Sequence, residues 1–169
     1  VRQGAQVCAL AEGAPDWAMP LHAALPSDAR DWTQALAAIA VAVAVEKGVP
    51  LPAIAQQAAD TPLAAEQIEE LATVARTIAQ ALLAGSSKAV LLGNAAAHHP
   101  QAASLLALAQ WIAEQTGARL GYLTEAANTV GAQYVGALPQ AGGLDAGQMV
   151  QGALKAAVLL QVEPQWDCA

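Results

Sequence analysis

The sequence predicts an α/β fold in which a mainly parallel β-sheet is layered with helices, in a Rossmann-like arrangement. Short apolar runs typical of strands alternate with longer alanine-rich or amphipathic segments typical of helices, and no tight hairpin signals separate them. Strands separated by helices pair in parallel through right-handed crossovers. We therefore expect one sheet, with helices on both faces, that contains Val7, Val90, Leu120 and Leu159.

Length and charge limit what the chain can be. Its 169 residues suit one α/β domain or a fragment of a larger one, with a linker around residues 48–62. The net charge is −7 and the seven basic residues are scattered, whereas nucleic-acid surfaces need clustered Lys and Arg, so nucleic acid is excluded as a partner. The apolar stretch Ala35–Val45 is about half the ~20 residues of a membrane-spanning helix, so direct membrane insertion is not expected. Because Val1 is not an initiator Met, truncation of a longer chain is expected.

Two short strands and a long helix are predicted in the first fifty residues. Residues 4–10 are typical of a buried strand, and residues 21–25 form a second extended piece. A helix is predicted over Asp28–Lys47, because Ser27 or Asp28 can cap its start and Gly48 offers a left-handed stop. Alternating valines allow a strand within this stretch, but alanine content and length favour the helix; these valines are Val41, Val43 and Val45.

The segment after Gly48 is predicted to hold a short helix and then a long one. Thr61 can cap the long helix, which Gly85 closes. Apolar residues at steps of three and four give it one stripe, formed by Ile68, Leu71, Val74, Ile78 and Leu82. We expect Leu71, Val74 and Ile78 to face the sheet, and the acidic side chains near the helix start to be solvated.

Further elements follow in alternating order. A strand over residues 88–93 precedes a helix from Pro100 to about Thr116, which Gly117 ends. Leu105, Leu108 and Ile112 form the apolar stripe of that helix, with Leu106 and Trp111 beside it. The remaining segments are predicted as a strand over 119–123, a polar loop over 124–143, a short helix around 145–152 and a strand over 155–162.

Cysteines and histidines give no metal signature. Cys8 and Cys168 lie at opposite ends without CxxC spacing, so they are interpreted as reduced, buried thiols. His98 and His99 are adjacent, whereas ligands on one helix face lie three or four residues apart. Helix capping or solvent contact is the expected role of this pair, and a structural role is expected for His22.

Two loops follow strands, where ligands bind in open parallel sheets. The loop Gly93–Pro100 precedes a helix but has one glycine, and the chain contains neither a GxGxxG nor a GxxxxGKS fingerprint. The loop of residues 125–139 is rich in small residues but brings no nucleophile and base together in sequence. From the residues alone, the chemistry of the chain is undetermined.

The second loop carries a family resemblance. Its stretch Asn128–Pro139, with Gly131 and Gly136, resembles the Asn-x-x-Gly-Ala-x-Asp-x-Gly-x-x-Pro pattern of the molybdopterin oxidoreductase superfamily, whose loop contacts a guanine dinucleotide cofactor. The turn Val90–His99, with Gly93 and Asn94, resembles that family's Gly-x-Gly-x-x-x-His turn. Pro26-Ser27-Asp28 stands in the place of the family's Pro-Gly-Thr-Asp turn.

The chain departs from this pattern at four positions. Tyr134 replaces the acid, Ala127 an asparagine, Ala95 the second glycine of the turn, and Ser27 a glycine. Each change removes a polar contact or a close backbone approach, so a bound pterin dinucleotide is not expected. Gly93, Asn94, Asn128, Gly131 and Gly136 are therefore interpreted as vestiges of cofactor loops, with no catalytic residue and no metal site.

One branch of the superfamily, the large peripheral iron–sulfur subunit of respiratory NADH:quinone oxidoreductase (complex I), is similar to the chain over most of its length, most closely from Lys88 onward. The resemblance implies a fragment of a molybdopterin-oxidoreductase-like domain without a cofactor of its own. It implies iron–sulfur clusters in an N-terminal region outside this segment, and other subunits of the complex I hydrophilic arm as partners. The expected place is peripheral, on the cytoplasmic face of the inner membrane. The alternative is a working molybdopterin- or nucleotide-binding oxidoreductase domain.

Overall fold

The computed structural model describes residues 4–13, 17–59, 65–124 and 128–159. Within them the chain is a mixture of helices and short parallel strands. Strand β1 (Cys8–Ala11) pairs with β2 (Ala23–Pro26), with Cys8 opposite Ala23. Strand β3 (Ala89–Leu92) pairs with β4 (Arg119–Tyr122), with Ala89 opposite Arg119. The parallel pairing predicted from the alternation of strands and helices is confirmed for both pairs.

The expectation of one continuous sheet is wrong for the described residues. The strands form two separate two-stranded sheets, and no ladder joins β1 to β3. Val7 lies just before β1, and its carbonyl accepts a hydrogen bond from the amide of His22 at 2.7 Å. Val90 and Leu120 are opposite each other in the second sheet, as expected for neighbours. Residues of both β1 and β3 line one cleft.

Helices make up most of the remaining structure. A turn of 3-10 helix, Ala29–Asp31, leads directly into the first long helix. The α-helices are α1 (Trp32–Lys47), α2 (Ala53–Ala59), α3 (Ala65–Ala84), α4 (Asn94–Ala97), α5 (Ala102–Thr116), α6 (Thr129–Tyr134) and α7 (Ala146–Gln148). No helix in the described part of the chain is long and apolar enough to cross a membrane.

Helix α1 lies at the centre of the core. It packs against α2, α3 and α5, so it is apolar on most sides rather than along one stripe. Val43 is fully buried, whereas Val45, near the C-terminal end of α1, is 75% exposed. The helix interpretation of the valine-rich stretch is confirmed.

Helix α3 packs mainly on α1 and also touches β2. Ile78 is buried in the core, but Leu71 is half-buried and lines a groove with residues of α1 and α2. The expectation that Leu71 faces the sheet is therefore wrong, because α1 occupies that side. Ile68 is 50% exposed, so the apolar stripe is solvated at its start. The predicted cap Thr61 lies outside the described residues.

Helix α5 matches its prediction closely. Leu105, Leu108 and Ile112 are almost completely buried, and Leu106 and Trp111 pack beside them. Gly117 ends the helix with φ 73°, and its amide donates to the carbonyl of Ala113. A positive φ of this kind strains any residue with a Cβ, which explains a glycine at the helix end.

The chain divides into two compact units, Val1–Leu123 and Thr124–Ala169. In the second unit, Asp145 and Gln148 form a capping box at the start of α7, which continues as a π-helical turn, Met149–Ala153, confirming the short predicted helix. Helix α6 lies inside the segment predicted as a loop. The predicted strand over 155–162 is wrong for its described part, because Ala156–Leu159 has no ladder partner and is exposed; residues 160–162 lie outside the described residues.

Candidate functional site

The turn after β3 is short, and its carbonyls accept hydrogen bonds from amides of the same turn. Gly93 has extended backbone, φ −84° and ψ 176°, and precedes α4 directly. The Gly93 carbonyl accepts hydrogen bonds from the amides of Ala96 and Ala97 at 3.1 and 3.2 Å. The Asn94 carbonyl accepts from the amide of His98 at 3.1 Å. One helical turn thus occupies the place where a glycine-rich loop would approach a phosphate group.

Neither the backbone conformation at position 93 nor the neighbouring atoms require a glycine there. A Cβ added at this position would meet no atom within 4 Å, and the backbone has a negative φ. A glycine of a phosphate loop is needed because it lets the backbone come close to the ligand. At Gly93 the fold alone therefore tolerates a side chain.

His99 links three segments of the first unit. Its Nδ1 accepts a hydrogen bond from the amide of Gln101 at 3.0 Å, just before α5. Its Nε2 lies 2.9 Å from the carbonyl of Ala29, and an amide donor at Nδ1 leaves the ring hydrogen on Nε2 for that bond. The ring stacks on Trp32, with centroids 5.7 Å apart. The expected capping role is not seen at α5, whose N-cap residue Gln101 has no side-chain cap hydrogen bond. His99 instead accepts from the backbone amide of Gln101, and His98 is exposed, as the alternative of solvent contact implies.

The turn after β2 is fixed by polar contacts. Asp28 accepts from the amide and the guanidinium of Arg30, at distances of 3.0 and 3.1 Å. The side-chain hydrogen bond from Arg30 lowers the pKa of the Asp28 carboxyl, with its amide hydrogen bond and the positive charge of Arg30 acting in the same direction. Trp32 donates its indole N–H to the Ser27 carbonyl at 3.1 Å. Asp28 caps the 3-10 turn rather than α1 itself.

A second contact joins this turn to the start of α5. The hydroxyl of Thr33, which is buried, donates to the side-chain oxygen of Gln101 at 2.8 Å. The segments that follow β2 and β3 are therefore held together by Trp32, Thr33, His99 and Gln101. Sequence reasoning did not identify Trp32, Thr33 or Gln101. The only sequence signal for these contacts was that a tryptophan and a threonine stand side by side near the start of the predicted helix.

The loop carrying the family resemblance belongs to the second unit. Asn128 precedes α6, and a Cβ at Gly131 would collide with the Asn128 side chain, so this glycine makes room for its own loop. Gly136 has φ 76°, a conformation that favours glycine. Tyr134 is 92% exposed. Gly93 and Asn94 lie in the first unit, while Asn128, Gly131 and Gly136 lie in the second.

The histidines, cysteines and acids of the described residues do not gather into a metal site. No group of three or more His, Cys, Asp or Glu in that part of the chain is arranged to hold a metal ion. Cys8 is a half-buried free thiol, and burial raises its pKa although a backbone hydrogen bond with Ala23 opposes the shift. Cys168 lies outside the described residues, and the side chain of His22 is exposed.

A cleft of about 1030 Å³ in the first unit is lined by residues of both β1 and β3. Residues along both strands line it, together with apolar side chains of three helices. These helical side chains are Leu36 and Ile39 of α1, Ile78 and Leu82 of α3, and Leu105 and Ile112 of α5. The lining also includes polar residues, namely Gln6, Glu12, Ser86, Ser87 and Lys88.

Comparisons of the chain with protein-family models, curated proteins and solved structures find no significant match.

Proposed function

We propose that this chain is a non-catalytic structural segment of the large peripheral iron–sulfur subunit of respiratory NADH:quinone oxidoreductase, in a molybdopterin-oxidoreductase-like fold that has no cofactor of its own. The parent complex transfers electrons from NADH through iron–sulfur clusters to quinone and couples this transfer to proton translocation. The proposal rests on the resemblance over Leu91–Pro139, and on the geometry of the loops that carry it.

The geometry of Gly93 is the main structural support. In the superfamily the equivalent turn uses two glycines, and here Ala95 stands in place of the second one. The turn is filled by the helical turn α4, whose hydrogen bonds use the carbonyls of Gly93 and Asn94 internally. A purely structural role requires only that this turn connect β3 to α5. His99 lies in that connection.

The loop around Asn128 supports the same interpretation. Gly131 accommodates the side chain of Asn128, so this glycine has a role within its own loop. Tyr134, which replaces the family's acid, points into solvent and cannot offer the two acceptor oxygens of a carboxylate to a guanine edge. Both features fit a retained scaffold better than a nucleotide site.

Two experiments test the proposal. Affinity purification of the tagged native protein should recover other subunits of the complex I hydrophilic arm, and the coding sequence upstream should contain cluster-binding cysteine motifs. Recovery of the chain without those subunits, together with an upstream sequence lacking such motifs, contradicts the assignment.

The absence of cofactor chemistry is tested separately. Calorimetry of the purified chain with guanine dinucleotides, NADH and divalent metals should show no binding at micromolar concentrations. Micromolar binding that Asn94→Ala or Asn128→Ala abolishes, while His98→Ala leaves it intact, would instead favour a working oxidoreductase domain.

A further inference from the structure

Helices α1, α2 and α3 of the first unit border a groove, which we call the helical groove. Its volume is about 290 Å³. Pockets for small molecules span about 300–1,000 Å³, so the helical groove has the size of a site for a small ligand. None of its described lining residues lines the cleft beside β1 and β3, so the two features are separate.

The walls of the helical groove are aliphatic. Helix α1 contributes Val41 and Val45, and α3 contributes Ile68 and Leu71. The small lining residues come from all three helices and are Ala38, Ala42, Ala58 and Ala72. No aromatic ring is among the described residues that line the groove, so it offers no stacking surface to a flat base or cofactor ring. Its shape and chemistry suit an aliphatic chain.

Two of the large apolar side chains in this groove are exposed to water. Val45 is 75% exposed and Ile68 is 50% exposed. Transfer of such surface out of water is favourable, roughly in proportion to the area that is covered. An aliphatic ligand in the helical groove would cover both side chains and bury its own methylene groups at the same time.

Arg76 gives the helical groove a positive charge. Its side chain is exposed, and no ion pair of the described residues includes it. Its neighbours three and four positions away along α3 are Ala72, Thr73, Ala79 and Gln80, none of which is acidic. A guanidinium group without an acidic partner can hold a carboxylate through two parallel N–H···O hydrogen bonds.

One acid, Glu46, also lines the helical groove. Its Oε1 accepts a hydrogen bond from the side-chain amide of Gln80 at 3.1 Å. This carboxylate therefore already has a hydrogen-bond donor, whereas Arg76 has no ion pair within the described ranges. Glu46 is exposed, so water and salt weaken its repulsion of an anionic ligand.

We propose that the helical groove binds a free aliphatic carboxylic acid of medium chain length. Its tail would lie between the apolar side chains of α1 and α3, and its carboxylate would contact Arg76. A partner helix would need a groove that accepts side chains from several of its turns, whereas about 290 Å³ suits one small molecule. The proposal does not depend on membership of complex I, because it uses only the groove, its aliphatic walls and Arg76.

Calorimetry of the full-length protein with decanoate, octanoate and decanol tests the proposal. Decanoate should bind with a Kd below about 1 mM, and octanoate about tenfold more weakly because it buries two fewer methylene groups. Arg76→Gln should weaken decanoate binding about fivefold or more and leave decanol binding unchanged, since decanol has no charge. Arg119→Gln is the matched control, because Arg119 is also exposed but does not line the groove.

A second pair of variants tests the place of binding. Ala72→Leu puts a larger side chain into the helical groove and should weaken both decanoate and decanol about fivefold or more. Ala107→Leu should leave both affinities within about twofold of wild type, because Ala107 is an exposed alanine of α5 outside the groove. Both changes are on exposed helix surfaces, where leucine is a good helix former.

Three results would overturn the proposal. The first is no decanoate binding at about 1 mM. The second is an equal effect of the two arginine variants, or of the two alanine variants. The third is tighter binding of decylammonium than of decanoate, lost in Glu46→Gln, because it would assign the helical groove to a cationic ligand.

Discussion

His99 stacks on Trp32, with ring centroids 5.7 Å apart and ring planes inclined by 27°. The stacked pair connects the turn after β3 to the first residue of α1. The ring nitrogens of His99 add two hydrogen bonds, to the Ala29 carbonyl and from the Gln101 amide. One side chain thus holds together segments that are about seventy residues apart in sequence.

The first prediction concerns this contact. His99→Ala removes the stack, the bond to Ala29 and the bond from the Gln101 amide, so we expect it to lower the free energy of unfolding by about 1–3 kcal/mol. Chemical denaturation with urea measures the change. The neighbouring His98→Ala is the matched control and should change stability by less than about 0.5 kcal/mol, because His98 is exposed. Equal effects of the two variants would contradict the structural role of His99.

A second prediction concerns the core. Leu108 is fully buried, so Leu108→Ala should cost about 2–5 kcal/mol. Leu71→Ala should cost less, about 1–2 kcal/mol, because Leu71 is half-buried beside an open groove. The free energies of unfolding of the two variants and of wild type give this order directly. A larger loss for Leu71→Ala than for Leu108→Ala would show that the packing of α3 has been misplaced.

The third prediction compares two glycines. Gly117→Ala should destabilise the chain by about 1–2 kcal/mol, because Gly117 has φ 73°, a backbone conformation that strains residues with a Cβ. No neighbouring atom obstructs a Cβ there, so the expected loss comes from the backbone conformation alone. Gly93→Ala should be neutral or stabilise by up to about 1 kcal/mol, since its φ is −84° and its surroundings are open. Thermal or urea unfolding of both variants provides the measurement. A large loss at Gly93 would reveal a constraint there that the fold does not show.

A fourth prediction follows from the raised pKa of Cys8. With Cys168→Ser as background, alkylation of Cys8 in the folded chain should reach half its maximal rate at a higher pH than in the unfolded chain, whose thiol has an ordinary pKa near 9.0. The unfolded chain releases this proton first as pH rises. Stability should therefore fall above about pH 9 as the unfolded chain ionises, and Cys8→Ala should reduce that loss. Identical alkylation profiles for folded and unfolded chains would rule out the shift.

Local signals in the sequence were sufficient for the long helices. The stop at Gly117, the stripe of Leu105, Leu108 and Ile112, and the helical state of the valine-rich stretch all depend on nearest neighbours along the chain, and the structure confirms them. Parallel pairing followed from the alternation of strands and helices. Such features are determined by backbone preference and by periodicity, which a single sequence contains.

Features that depend on residues far apart in the sequence could not be predicted from local patterns. The direction in which Leu71 points depends on where α1 lies, and whether β1 and β3 share one sheet depends on contacts between segments far apart in sequence. The contact of Trp32 with His99 joins two turns with no pattern in common. Of the candidate site, solvent contact of His98 was among the expectations, whereas the bond of His99 to Ala29 could not be predicted.

Among the described residues of the first unit, six alanines are completely shielded from solvent: Ala37, Ala40, Ala55, Ala75, Ala79 and Ala109. They belong to α1, α2, α3 and α5 and all lie in the hydrophobic core, where a larger side chain would have to displace its neighbours. In a library of random variants, we therefore expect these buried alanines to tolerate fewer substitutions than larger, half-buried apolar residues do. Leucines and valines at half-buried positions would accept other apolar residues, while these alanines would accept only glycine or serine, so that the smallest side chains of the protein would be its least replaceable.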